Sequence, residues 1–146
     1  MAKIWYGIIV IAYKTSPLRL LLLKNTETKT TTPIAGSRKR LESKIEAAIR
    51  ETFEETGWII KKKDLIKTRL VHKFIYGPQK IERAFEQGEN QVFFLNADSL
   101  NEPLPTKDAK VHKWYSPKKT LQKVDFYDLK SIIKDSIKLI RKKEHI

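Results

Sequence analysis

Three glutamates, Glu51, Glu54 and Glu55, stand at i, i+3 and i+4 in the segment AIRETFEETGW. On a helix that spacing projects three carboxylates from one patch of surface. Like charges so placed repel by roughly 0.2–0.5 kcal/mol per pair, and the sequence puts no lysine among them. The pattern calls for a cation. Mg2+ suits it, with Mn2+ as a substitute, because Mg2+ takes oxygen ligands, keeps several waters and is held by one or two carboxylates plus the phosphates of a substrate. Zinc is a poor alternative in a chain with no cysteine and no closely spaced histidine pair. Arg50 can orient the neighbouring Glu51 carboxylate through a charge-assisted hydrogen bond. Gly36, ahead of the helix, lets the backbone turn tightly and approach a ligand.

The elements that must hold these groups are legible as periodicities. From Glu42 to Thr56 the apolar positions Ile45, Ile49 and Phe53, with Ala48 and Thr52 beside them, form one stripe at helical spacing, and Gly57 stops the helix. Before it, IWYGIIVIAY and Leu18 to Leu23 read as two strands joined at Thr15-Ser16-Pro17, a hairpin. Asn25 to Thr32 is polar and threonine-rich, a surface loop. After the helix, strands are predicted over Ile66 to Tyr76, Asn90 to Asn96 and Lys110 to Tyr115, broken by YGPQ, ADSLNEPLP and SPKK. Phe126, Leu129, Ile133, Ile137 and Ile140 then mark an amphipathic helix with a basic end. Strands, a helix, more strands and a helix predict a mixed sheet with helices on its faces, an α+β or α/β/α sandwich. At 146 residues, the chain reads as one domain over residues 1–146.

GSRKRLESKIEAAIRETFEETGW, residues 36–58, resembles the box of the Nudix hydrolase family, G-x(5)-E-x(7)-R-E-U-x-E-E-x-G-U with U a bulky apolar residue. Gly36, Glu42, Arg50, Glu51, Glu54, Glu55 and Gly57 all fall in place. Seven fixed matches at residue frequencies near ~7% arise by chance on the order of once in 10^8 positions. Thr52 and Trp58 occupy the two apolar positions, and Leu41 stands where the family usually has glycine, after an unusually basic Arg38-Lys39-Arg40. The resemblance implies an α/β/α sandwich around a mixed sheet and Mg2+-dependent hydrolysis of a nucleoside diphosphate linked to a variable group. It also implies roles: Glu54 and Glu55 as metal ligands, Glu51 as ligand or general base, Arg50 as its orienter, the Gly36 carbonyl as a further ligand, and Glu42 as a brace for the loop that can reach the metal. A further acid from outside the box often completes such sites. Glu86, Glu89, Glu102 and Asp108 are the candidates, with Glu89 favoured.

TTTPIAGS resembles the approach to the box in the subgroup of dihydroneopterin triphosphate and deoxynucleoside triphosphate pyrophosphohydrolases, although the tryptophan common there is replaced by threonines. HKWYSPKKTLQKVDF has the form of a strand, turn and last helix found in several subgroups, among them asymmetric dinucleoside tetraphosphate hydrolases. The substrate order is therefore a nucleoside triphosphate or its pterin relative, then a dinucleoside polyphosphate, then 5′-triphosphorylated RNA. A nucleotide- or RNA-binding sensor without catalysis is the reading from another class, and the complete acid set weighs against it. Family members are often homodimers.

Thirty Lys plus Arg against seventeen Asp plus Glu give a formal +13, which favours encounter with polyanions, nucleotides and RNA included. The absence of cysteine excludes a disulfide framework and a cysteine nucleophile and fits a cytoplasmic protein. The apolar run Ile4–Tyr13 is about half of the ~20 residues a membrane helix needs, so no membrane partner is expected. His72, His112 and His145 lack partner spacing and read as structural. Trp5, Tyr6, Phe74, Tyr76, Phe93 and Trp114 lie on predicted strands and read mostly as core, with one or two left to stack on a base.

Overall fold

Ile4–Thr15 (β1) forms the centre of the molecule, because its residues from Gly7 to Tyr13 are all buried and need cover on both faces. The computed structural model describes residues 3–104, 106 and 110–146, and it supplies that cover with helices on either side of a mixed sheet. β1 runs parallel to Gln87–Asn96 (β6) and antiparallel to Leu18–Asn25 (β2) and Ile34–Ser37 (β4). Thr31–Thr32 (β3) and Lys110–Tyr115 (β7) join β2, and Leu65–Ile75 (β5) joins β6. Successive side chains of a strand point to opposite faces. Ile8, Val10 and Ala12 therefore share a core with Ala47 and Ala48 of α1 (Lys44–Thr56), while Ile9, Ile11 and Tyr13 share one with Leu129, Ile133, Ile137 and Ile140 of α3 (Tyr127–Glu144). This is the α/β/α sandwich expected from the sequence. The hairpin at Thr15–Pro17 is also present, with Thr15 opposite Leu18.

The helix α1 begins two residues later than its periodicity suggests. Ser43 is the N-cap: its hydroxyl accepts from Glu46 N–H at 3.2 Å while the Glu46 carboxylate accepts from Ser43 N–H at 2.9 Å. This capping box satisfies two end donors and leaves Glu42 in the loop. Ser43→Ala should cost about 1 kcal/mol of stability, measurable as a lowered urea midpoint at unchanged slope. At the other end Gly57 adopts φ 78° and donates its N–H to Phe53 O at 2.8 Å, the left-handed stop foreseen for it.

The buried face of α1 differs from the predicted stripe. Phe53 is 53% exposed, whereas Ala47, Ala48, Thr52, Glu55 and Thr56 are buried. Ile45 and Ile49 are only partly covered. Small residues let the helix lie close to the sheet, which rotates the larger ones to the flank and brings a glutamate into the interface.

Four further corrections lie outside α1. SPKK is not only a break: Ser116 caps and Pro117 starts a short helix, α2 (Pro117–Lys123), in keeping with proline's fitness for a first helical position. Phe126 does not belong to the stripe of α3; it precedes the helix at φ 71° and is 56% exposed. Of the six strand aromatics only Phe93 is core. Tyr6 is exposed and the others are half-buried, several with cations over their rings: Lys3 and Arg83 over Trp5, Arg38 and Lys44 over Tyr6, Lys14 over Trp114. Trp114 also packs on the α1-side core, whereas Trp5 and Tyr6 have basic side chains for cover. β6 also starts three residues earlier than predicted, placing Glu89 inside the strand. Among the described residues no helix is long and apolar enough to cross a membrane.

Candidate active site

The close approach of α1 to β4 sets the geometry of the acids. Gly36 and Ile34 face the helix, and the Glu51 side chain lies directly against Gly36. A Cβ added at Gly36 would stand 2.6 Å from Glu51 Cγ and closer still to its Cδ and Oε1. The glycine is required here for space, so that a carboxylate can occupy the position a side chain would take.

Arg50 ties the acids together. Its Nε donates to Glu42 Oε2 at 2.8 Å and its Nη2 to Glu42 Oε1 at 3.0 Å, a bidentate pair. Nη1 donates to Glu51 Oε1 at 2.8 Å and to Glu54 Oε2 at 3.2 Å, and Nη2 also reaches the Ser37 carbonyl at 2.9 Å. One guanidinium thus joins the loop, the helix and β4. The guanidinium holds the Glu42 carboxyl below its ordinary range, and Glu42 in turn raises the Arg50 pKa. Glu51, largely buried, is pushed up by loss of water despite Arg50.

Between β4 and α1 the basic loop carries Leu41 where the resemblance leads one to expect glycine. Lys39 N–H donates to Glu42 Oε1 at 2.9 Å, and Leu41 sits at φ 67° with its side chain 97% exposed. The backbone keeps a conformation that suits glycine, and leucine bears the steric penalty. Leu41→Gly should therefore stabilise the protein by roughly 0.5–1 kcal/mol; a lowered melting temperature would contradict this reading.

Glu55 is not on an open acidic surface. It is 4% exposed, its Oε1 receives Lys110 Nζ of β7 at 2.6 Å, and its Oε2 is buried without a partner among the described residues. His112 Nε2, two residues along β7, lies 2.5 Å from the Glu55 backbone oxygen. The sequence places no lysine within the acid cluster, but the fold brings one there. Burial pushes the Glu55 carboxyl up to about 7 from 4.5, outweighing the pull of Lys110. Because the folded value exceeds the unfolded one, this group's contribution to stability is full below about 4.5 and is lost as pH rises through about 7. A divalent cation that needs Glu55 ionised competes with the proton. The rise in melting temperature produced by Mg2+ should be larger at pH 8 than at pH 6, with affinity climbing up to about tenfold per pH unit below 7. Equal Mg2+-induced shifts at the two pH values would refute this.

The acids proposed from outside the box fare differently. Glu89 points to the α1 face, since Tyr6 opposite it shares that face with Ile8, and it accepts from Gln87 Nε2 at 3.1 Å. Glu102 is bound to Lys14 at 2.9 Å and Trp114 Nε1 at 3.1 Å, away from the acids of α1. Glu86 closes a loop through its backbone, accepting Tyr76 N–H and donating to Arg83 O. Asp108 lies outside the described residues.

On the opposite face of β1 and β4 a cavity of about 310 Å³ is lined by Ala35, Phe74, Tyr76, Asn90 and Asp128 among others. His72, buried and stacked on Phe74 at 5.0 Å, forms part of its wall; His72 Nε2 lies 3.0 Å from Asp128 Oδ2 but off the line of a hydrogen bond. Phe74 and Tyr76 meet edge-on at 4.8 Å. Sequence reasoning named no aromatic for stacking on a base, and it had no means to see this cavity because its walls come from five separate segments.

Among the described residues, no three acids or histidines converge as a ready ligand cluster; Arg50 and Lys110 take up part of the carboxylate oxygens. The donor chemistry nonetheless fits a hard divalent cation. Glu51, Glu54 and Glu55 offer only oxygen, and among the described residues the Glu55 Oε2 atom is buried without a hydrogen-bond partner and neither sulfur nor a histidine pair stands nearby.

Solved structures share this architecture at low identity, three of them as follows. The E. coli dihydroneopterin triphosphate pyrophosphohydrolase aligns with TM-score 0.77 and 18% identity over 89% of this chain and 92% of its own. A C. elegans Ap4A hydrolase binary complex aligns with TM-score 0.70 and 19% identity, over 92% and 97%. The NUDIX domain of Shewanella oneidensis NrtR, complexed with ADP ribose, aligns with TM-score 0.74 and 11% identity, over 96% and 90%. At such identities they establish the fold alone. No curated protein sequence matches the chain. The family model of the NUDIX domain matches residues 5–135, so the chain belongs to the NUDIX domain family, and its chemistry is hydrolysis of a phosphoanhydride bond.

Proposed function

We propose that this protein is a Mg2+-dependent pyrophosphohydrolase of a nucleoside triphosphate or a triphosphate with a related bicyclic base. The observation that carries the reading is the placement of Glu51 against the bare backbone of Gly36, braced by Arg50 and flanked by Glu54 and Glu55. In this reading Glu51, Glu54, Glu55 and the Gly36 carbonyl hold the ion, and Glu42 fixes the loop through Arg50. Bound there, Mg2+ supplies charge neutralisation on the phosphate oxygens and a water of lowered pKa. Glu51 is placed to accept the proton of the attacking water, as burial and a raised pKa suit a general base. Water adds at phosphorus, the anhydride P–O bond breaks, and the proton passes to Glu51. The cavity by Phe74 and Tyr76 gives a base two aromatic rings and the Asp128 carboxylate, an acceptor for ring N–H donors.

A second reading, 5′-triphosphorylated RNA, is favoured by the cations around Tyr6 and Trp5, a basic and aromatic rim suited to nucleic acid. A panel of nucleoside triphosphates, dihydroneopterin triphosphate, dinucleoside tetraphosphates and triphosphorylated RNA with Mg2+ separates these, with phosphate and pyrophosphate measured individually. Pyrophosphate release from a mononucleotide or pterin substrate supports the first reading and selective action on RNA the second. Binding without turnover on any substrate would make the domain a sensor.

A further inference from the structure

The acids of α1 do not meet solvent alone: a lysine from a strand 55 residues away stands on the most buried of them, Lys110 Nζ at 2.6 Å from Glu55 Oε1. The contact is well enclosed, with the lysine side chain 19% exposed and the Glu55 side chain 5%. His112 on the same face of β7 approaches the Glu55 carbonyl, so β7 contacts this residue through both its side chain and its backbone. Four carboxylates (Glu42, Glu51, Glu54, Glu55) and two cations (Arg50, Lys110) join in these ion pairs, which leaves a local charge of −2 when every group is ionised. That equals the charge one divalent ion neutralises. The two cations differ in what they leave free. Arg50 spreads over three acids and the Ser37 carbonyl as a fixed fork, whereas Lys110 is a single point charge on a flexible stem with one acid partner among the described residues.

We propose that Lys110 is a built-in competitor for the divalent ion at Glu55, which keeps uptake of the ion weak on its own and couples it to arrival of the phosphate chain. An ammonium ion and a divalent cation repel each other strongly at the short separations of a shared carboxylate, so binding of the ion requires Lys110 to withdraw from Oε1. A triphosphate supplies the negative partner for the withdrawn ammonium. Ion and nucleotide then bind with positive coupling, and by linkage each raises the affinity for the other by the same factor. Lys110 is in this sense a positioning residue that acts through Glu55. The inference rests on the reading of Glu51, Glu54 and Glu55 as ligands of the ion.

The test is calorimetric titration of the full chain with Mn2+, alone and in the presence of a methylene-bridged, non-hydrolysable ATP analogue. In the parent protein the analogue should tighten Mn2+ binding by about fivefold or more. Lys110→Gln should bind Mn2+ alone about fivefold more tightly than the parent, and the tightening by the analogue should be about fivefold smaller than in the parent, what is left coming from direct contact of the phosphates with the ion. Lys110→Arg keeps the charge and should keep Mn2+ binding as weak as in the parent when the analogue is absent. Mn2+ affinity in Lys110→Gln that is unchanged or weaker than in the parent would overturn the proposal, as would full coupling retained in that variant. Should Lys110→Gln fail to fold, Lys110→Met, which preserves the apolar stem, takes its place with the same expectations. Glu54→Gln serves as the separate control: if it leaves Mn2+ binding intact, the ligand assignment itself fails, whatever Lys110 does.

Discussion

Glu54→Gln should lower kcat by about 10²–10⁴ while leaving the protein as stable as the parent to within about 0.5 kcal/mol. The separation of the two effects follows from where the side chain stands. Glu54 is 45% exposed at its side chain and makes one hydrogen bond, 3.2 Å from Arg50, so the fold loses little when its charge is removed. In the proposed function the reaction loses a full negative charge from the set that would bind the ion. Glu55→Gln would not separate them, because Glu55 is buried against Lys110 and its replacement leaves the ammonium short of its partner. Steady-state kinetics with thermal melting of the same samples decides the matter. A Glu54→Gln enzyme within about fivefold of the parent would remove Glu54 from the catalytic machinery.

Gly36→Ala should cost activity on the order of 10²-fold, because one methyl group displaces the Glu51 carboxylate by roughly an ångström or more. The methyl has no free volume: it would enter the space now held by Glu51 Cγ, Cδ and Oε1. Backbone strain is not the reason, since the residue lies in a strand paired with Ile8. The flexible end of Glu51 can move aside, which keeps the expected stability loss within ~1–3 kcal/mol. Normal turnover with a folded Gly36→Ala protein would show that Glu51 need not sit where it does, and the role given to Glu51 as base or ligand would fall with it.

Gly36, Glu42, Arg50, Glu51, Glu54, Glu55 and Gly57 were all legible as a set because their offsets are local, fixed by one loop and one helix. The sandwich was legible for a similar reason: Gly7 to Tyr13 is apolar at every position, which only a strand covered on both faces can satisfy. The helix boundary at Ser43 could have been found from its own capping box, since Ser43 and Glu46 have the right spacing. Likewise, Ser116-Pro117 carries the start signal of α2.

Other features lie beyond any local pattern. Phe53 reads as core from its period, yet helix rotation against the sheet is decided by which side chains allow closest packing, and Ala47 and Ala48 win. Phe74 and Tyr76 read as core from hydrophobicity, but at the end of β5 they meet a cavity instead.

The sequence alone determined the reaction class, because the acids, the glycine and the arginine act within a segment short enough for spacing to dictate geometry. Tertiary structure decided the electrostatic state of those acids. Only chain folding brings Lys110 and His112 to Glu55 across 55 and 57 residues, and only packing strips water from Glu55 and raises its pKa to about 7. Spacing places charges along a helix; burial and distant partners set how strongly each one binds a proton or a metal ion.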